Sequence, residues 1–98
     1  LVEEFYRKEH SISFYADKFG LTTDAFNRKI KNEIGKTPKQ ILQDRIILEA
    51  KKLLQLTQKS VKEISWELAF DDEFYFSRYF KKNVGVSPLK YRESTKIG

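Results

Sequence analysis

Two stretches of this chain repeat one another fifty residues apart, and the repetition restricts its fold more than any other feature. Thr22 to Pro38 reads TTDAFNRKIKNEIGKTP, and Asp71 to Pro88 reads DDEFYFSRYFKKNVGVSP. Phe26 pairs with Phe76, Arg28 with Arg78, Ile30 with Phe80, Lys31 with Lys81, Gly35 with Gly85 and Pro38 with Pro88. The preceding segments match at an offset of 49, Ala16 with Ser65, Gly20 with Ala69 and Leu21 with Phe70. The one-residue slip falls in the turn, where a change of length is tolerated. Each half reads as a short helix, a tight turn, a longer helix and a Gly-x-Ser/Thr-Pro exit, which is the layout of a helix-turn-helix.

Period-two alternation is scarce and helical spacing is common, so the chain is expected to be all-α. Leu1, Val2, Phe5 and Tyr6 mark one face of a first short helix. A second starts at Ser11 or Ser13 and stops at Gly20. Thr22 or Thr23 caps a third, which ends at Gly35. Thr37 and Pro38 open the longest helix, through Ile41, Leu42, Ile46, Ala50, Leu53 and Leu54, with proline in the first helical position. A fifth covers Val61 to Leu68, a sixth runs from an Asp71 or Asp72 cap to Gly85, and a last turn follows Ser87-Pro88. The expected division is residues 1–36, a linker helix over 37–56, and residues 57–98.

Composition closes off several functions. The 98 residues contain no cysteine, which removes disulfides, thiolate zinc sites and cysteine nucleophiles and suits a reducing cytoplasm. His10 is the single histidine, without a nucleophile or metal-ligand spacing beside it, and no Gly-rich phosphate loop is present; no enzyme, cofactor or metal is expected. No apolar run reaches membrane-spanning length. The chain begins at Leu1 rather than methionine, which reads as a piece of a longer or processed protein. Nineteen Lys and Arg against fourteen Asp and Glu give a net charge of +5, a balance suited to a polyanionic partner.

Placement of the charge says more than its sum. At 100° per residue, Phe26 and Ile30, like Phe76 and Phe80, form an inward stripe, with Tyr79 on the same side and Tyr75 at the boundary. Arg28 and Lys31, like Arg78 and Lys81, form an outward basic stripe in the same register. One such stripe is ordinarily a solvated face; its repetition on two similar helix pairs points to nucleic acid. The major groove admits a helix, and an arginine fork fits guanine O6 and N7 or a phosphate. Asn27 can read adenine, and Ser77 is short enough to bond a base edge or permit close approach. The long helix, Pro38 to Leu54, measures about 25 Å, which with the widths of its neighbours approaches the ~34 Å repeat of B-DNA. Trp66 is expected to pack on it. Two other readings stand beside this one: a protein-interaction bundle that exposes Phe74 and Tyr75, and a single-strand binder that stacks bases on them.

At Ala16–Pro38 (ADKFGLTTDAFNRKIKNEIGKTP) and Ile64–Arg92 (ISWELAFDDEFYFSRYFKKNVGVSPLKYR), the sequence resembles the DNA-binding domain of the AraC/XylS family of bacterial transcription regulators. Ile64, Phe70, Tyr75, Phe76, Arg78, Phe80, Lys81, Lys82, Gly85, Ser87, Pro88, Tyr91 and Arg92 fit the family's second motif. The resemblance implies seven helices, in two helix-turn-helix units joined by a long helix, with the third and sixth as recognition helices. It assigns base or groove contacts to Asp24, Asn27 and Arg28, and to Glu73, Phe74, Tyr75 and Arg78, with Ser77 beside them. It assigns phosphate contacts to Thr23, Lys31, Lys36, Thr37, Lys81 and Lys82 and to the helix N-termini. The implied partners are double-stranded DNA, RNA polymerase and a second copy held through a domain outside this chain, with no membrane. Ser65 and Ala69 depart from the family's alanine and glycine at the second turn. Phe74 replaces a small polar residue and is expected on a thymine methyl or sugar edge. The acids Asp71, Asp72 and Glu73 read as caps, or Glu73 as an acceptor from cytosine N4.

Overall fold

In a computed structural model, the description covers Tyr6 and residues 10–95. Six helices follow one another: α1 (Ile12–Lys18), α2 (Thr23–Ile34), α3 (Pro38–Leu56), α4 (Val61–Glu67), α5 (Glu73–Val84) and α6 (Pro88–Ser94). No strand occurs among the described residues. Among the described residues the architecture is all-α as expected, with six of the seven expected helices; the first, expected on Leu1, Val2, Phe5 and Tyr6, falls outside the described residues except for Tyr6. The chain divides into two compact units, Leu1–Arg45 and Ile46–Gly98, with the division inside α3.

Side-chain caps start the helices where the sequence carries them. The hydroxyl oxygens of Thr22, Ser60 and Ser87 accept from the backbone N–H groups of Ala25, Glu63 and Lys90, at 3.2, 3.1 and 3.2 Å. Of the two alternatives at each recognition-helix start, Thr22 caps α2 and Asp72 caps α5. At α3, Thr37 and Gln40 bond reciprocally, side chain to backbone in each direction. Ser60 and Glu63 do the same at α4. Both arrangements satisfy amides that have no partner within the helix. Gly35 and Gly85 end α2 and α5 in the left-handed conformation and donate to the carbonyls of Lys31 and Lys81.

The turn between paired helices is the same in both units. Leu21 N–H donates to the Ala16 carbonyl at 3.0 Å, and Phe70 N–H to the Ser65 carbonyl at 2.9 Å. The residue before each donor is left-handed: Gly20 at φ 67° and Ala69 at φ 64°. The second turn thus keeps its shape without glycine, at a conformational cost that an L-residue bears and glycine does not. Ser65, fully buried, is accommodated because its hydroxyl donates to the Lys62 carbonyl at 2.7 Å.

In the first unit Tyr6, Tyr15, Ala16, Phe26 and Leu42 are buried, and α1 packs on α2 with the Phe19 and Phe26 rings stacked at 5.5 Å. In the second, Ile46, Ala50, Leu54, Ile64, Leu68, Phe70, Phe76 and Phe80 form the core, and α5 packs on α4 and α6. Phe70 sits among Phe76, Tyr79 and Tyr75, and Phe80 meets Tyr91 edge-on at 5.6 Å. Arg92 reaches back from α6 to the end of α3, its Nε donating to the Leu54 carbonyl at 2.9 Å and Nη2 to Thr57 at 3.4 Å. A cation at a helix C-terminus meets both the unpaired carbonyls and the negative end of the dipole.

Two expectations about packing fail. Ile30 is only half-buried, whereas its counterpart Phe80 is fully buried. Phe80 packs on Tyr91, whose counterpart fifty residues earlier is the smaller Ile41. Trp66, expected to pack on the long helix, is largely in solvent: it is 58% exposed, with the Lys62 ammonium 5.0 Å from its ring centre. On α4, Ile64 takes the inward face with Leu68 just past the helix end, and Trp66 lies about 200° from Ile64.

Candidate nucleic-acid interface

Helices α2 and α5 each bury the stripe that holds them on their partner helix and turn the other face to solvent. Phe26 anchors α2, and Phe76 and Phe80 anchor α5. The opposite face of α2 presents Asp24, Arg28 and Lys31, all exposed. The matching face of α5 presents Phe74, Arg78 and Lys81, also exposed, flanked by Tyr75 and Lys82. Asn27 and Ser77 occupy the same shoulder of their respective helices and are half-buried, as is Glu73. Thr23 and Lys36 are exposed and Thr37 is half-buried.

The cations differ in what they already hold. Arg28 and Arg78 have no hydrogen-bond or ion-pair partner among the described residues. Each is an exposed guanidinium with five unused donors. Lys31 Nζ donates to the Gly35 carbonyl at 3.2 Å, and Lys36 pairs with Asp44 at 2.9 Å. Both members of that pair are more than half exposed, so it is weak and exchangeable. Two first-turn amides are also occupied, Ala25 by Thr22 and Phe74 by Asp72.

The site gathers most of the expected residues onto two like faces, one in each unit. Sequence reasoning missed the clamp from Arg92 to α3, because its partners are 35 and 38 residues away. It also missed the Ser60–Glu63 box, for which the Ser-x-x-Glu spacing was a signal. The Ser60 backbone N–H chiefly, with the Ser60 hydroxyl and then Lys59, holds the Glu63 carboxyl below its usual range. Among the described residues no cluster of three or more metal-ligating side chains occurs, and no helix is long and apolar enough to cross a membrane.

Residues 15–94 match the family model described as a helix-turn-helix domain. The chain belongs to the AraC/XylS family of helix-turn-helix DNA-binding domains. Among curated relatives of this AraC/XylS domain, the HTH-type transcriptional activator RhaS of Enterobacter sp. (strain 638) is 30% identical over 92 residues, covering 94% of this chain and 33% of RhaS. The chain spans about a third of the length of the curated relatives it matches. The C-terminal domain of AraT, a response regulator from Geobacillus stearothermophilus, superposes with a TM-score of 0.90 at 28% identity, covering 99% of this chain and 81% of that one. The DNA-binding domain of AdpA, a global transcriptional factor solved in complex with a target DNA, shares the fold with a TM-score of 0.82 at 24% identity, covering 93% of this chain and 82% of its own. As an AraC/XylS-type domain this chain is a DNA-binding module and not an enzyme.

Proposed function

We propose that the domain binds duplex DNA sequence-specifically by inserting α2 and α5 into successive major grooves, and that it does so as part of a longer bacterial transcription regulator. The observation that carries this is the pair of exposed, unpartnered arginines, Arg28 and Arg78, at one register on the outward faces of two like helix-turn-helix units. Asp24, Asn27, Arg28, Glu73, Phe74, Tyr75, Ser77 and Arg78 face bases or groove walls in this reading. Thr23, Lys31, Lys36, Thr37, Lys81 and Lys82 take phosphates, which fix register without reading sequence. Residues 1–36 and 57–98 act as the two reading subdomains, with residues 37–56 as linker. The named relative RhaS is an activator, which supports a role in activation, with RNA polymerase as a partner. Dimerisation rests on a segment outside this chain, and the working compartment is the bacterial cytoplasm.

Selection of bound sites from random duplex DNA tests the reading. The expected product holds two motifs about ten base pairs apart, one helical turn. Arg28→Ala and Arg78→Ala each lose about 1–3 kcal/mol of binding and relax one motif apiece. Affinity falls steeply with salt. Both variants relaxing the same motif would refute the two-groove arrangement. The exposure of Phe74 and Tyr75 favours a second reading, single-strand stacking, under which unpaired strands compete as well as duplex.

A further inference from the structure

We infer that the two helices read their half-sites by different chemistries, and that α5 reads thymine through its 5-methyl group, with Phe74 and Tyr75 as the contacting pair; this rests on the duplex reading above. The ground is a position-by-position comparison of the two outward faces. The cations are shared, Arg28 with Arg78 and Lys31 with Lys81, so both faces carry the same means of holding phosphate and guanine. The first turns diverge most at two adjacent positions. Asp24 becomes Phe74, Ala25 becomes Tyr75, and Asn27 becomes Ser77. At two adjacent positions α5 carries rings where α2 carries a carboxylate and a methyl, while Asn27 and Ser77, like Thr23 and Glu73, are hydrogen-bonding on both helices.

Those rings are not core that happens to show an edge. Phe74 is 68% exposed and stacks on no other ring among the described residues. Tyr75 is 54% exposed, and its ring centre lies 5.9 Å from that of the buried Phe70, tilted by 38°, which fixes its direction while leaving half of it in solvent. Both residues lie in the first turn of α5, the part of a recognition helix that meets base edges. Arg78 sits one turn further on, roughly 6 Å along the axis, and Lys81 follows on the same face. An apolar pair followed along its face by Arg78 and Lys81 suits a polyanion that also carries apolar projections, and the carboxylates of Asp72 and Glu73 before it turn that end of the helix toward a base edge and away from phosphate. In the major groove only thymine has one, its C5 methyl; every other base edge there offers hydrogen-bond groups. Desolvating Phe74 against a hydrogen-bonding edge would gain little, and against a methyl it gains the transfer of apolar area from water.

The test uses the whole 98-residue chain and the duplex it selects. Relaxation by Arg78→Ala identifies the α5 half-site. Duplexes then carry deoxyuridine for thymidine in that half or in the other, and binding is followed by fluorescence anisotropy. Loss of the methyl in the α5 half is expected to weaken binding about fourfold for each methyl contacted, and in the α2 half by less than twofold. 5-Methylcytosine at a position where cytosine is rejected returns part of the lost affinity. Phe74→Ala, at an exposed position with folding checked by circular dichroism, binds the thymine duplex more weakly and no longer separates it from the uracil duplex. A selected α5 half-site without thymine, equal affinity for the two duplexes, or discrimination that survives both Phe74→Ala and Tyr75→Ala overturns the inference while duplex binding stands. Failure to prefer duplex over single strands overturns it together with the reading beneath it.

Discussion

Exchanging the residues at the two matched turns should change stability in opposite directions. Gly20 and Ala69 hold nearly the same left-handed backbone, φ 67° and 64°, and both are exposed, so burial changes little on substitution. A Cβ built on Gly20 meets nothing within 4 Å, which leaves only conformational terms. An L-residue in that region costs about 1–2 kcal/mol in the folded state. Glycine gives back roughly 0.4–1 kcal/mol through the freedom of the unfolded chain. The difference predicts that Ala69→Gly stabilises the second unit by about 0.5–1 kcal/mol and that Gly20→Ala destabilises the first by a similar amount. Urea denaturation reads the two midpoints. Native-state hydrogen exchange at the Leu21 and Phe70 amides, which close the turns, assigns each shift to its unit. The backbone already has the angle glycine prefers, so DNA affinity of Ala69→Gly should stay within about twofold. A lower midpoint for Ala69→Gly, or a higher one for Gly20→Ala, would refute the claim that backbone strain and not side-chain packing decides these positions.

Arg92→Ala should cost about 1.5–3 kcal/mol, since it leaves the Leu54 carbonyl at the end of α3 without its charged donor; Arg92→Lys should recover only part, because one ammonium does not reproduce the fork. Urea midpoints of the two variants check this. The lowered pKa of Glu63 means that its cap contributes fully above the unfolded carboxylate pKa and is lost as pH falls through the lowered folded value. Urea midpoints at pH 7 and pH 3 should therefore differ more in the wild-type chain than in Glu63→Gln, which keeps an acceptor but does not titrate.

Much of the fold was legible because helix starts and stops are local. Thr22, Thr37, Asp72, Ser87, Gly35 and Gly85 act through neighbours a few residues away, and sequence carries that information directly. The repeat added tertiary information, since equal residues at equal spacing imply equal packing. It misled where equivalence stopped at one member of a pair: Ile30 lacks the aromatic neighbour that covers Phe80. Trp66 was legible and misjudged, because helical spacing sets it opposite Ile64 and Leu68 while its size argued for burial. The Arg92 clamp was not legible at all, as nothing local ties a surface arginine to a carbonyl 38 residues away.

The charges of the recognition helices have two explanations, and the structure separates them residue by residue. Asp24 and Glu73 stand in the first turns of α2 and α5, and Lys31, Lys81 and Lys82 in the last. That order complements the helix dipole whether or not DNA is bound. Lys31 goes further and donates to the Gly35 carbonyl, so its removal would disturb the helix end as well as a phosphate. At the other end Thr22 and Asp72 already occupy one first-turn amide each. The carboxylates beside the remaining amides oppose an approaching phosphate, which weighs against the N-termini of α2 and α5 as anion sites. Arg28 and Arg78 escape both complications. They lie between the acidic and basic ends, cap nothing and pair with nothing described, so no folding role accounts for a guanidinium at this register on both helices. Substituting them perturbs binding with the least perturbation of the fold, which is why the two-groove arrangement is best tested there.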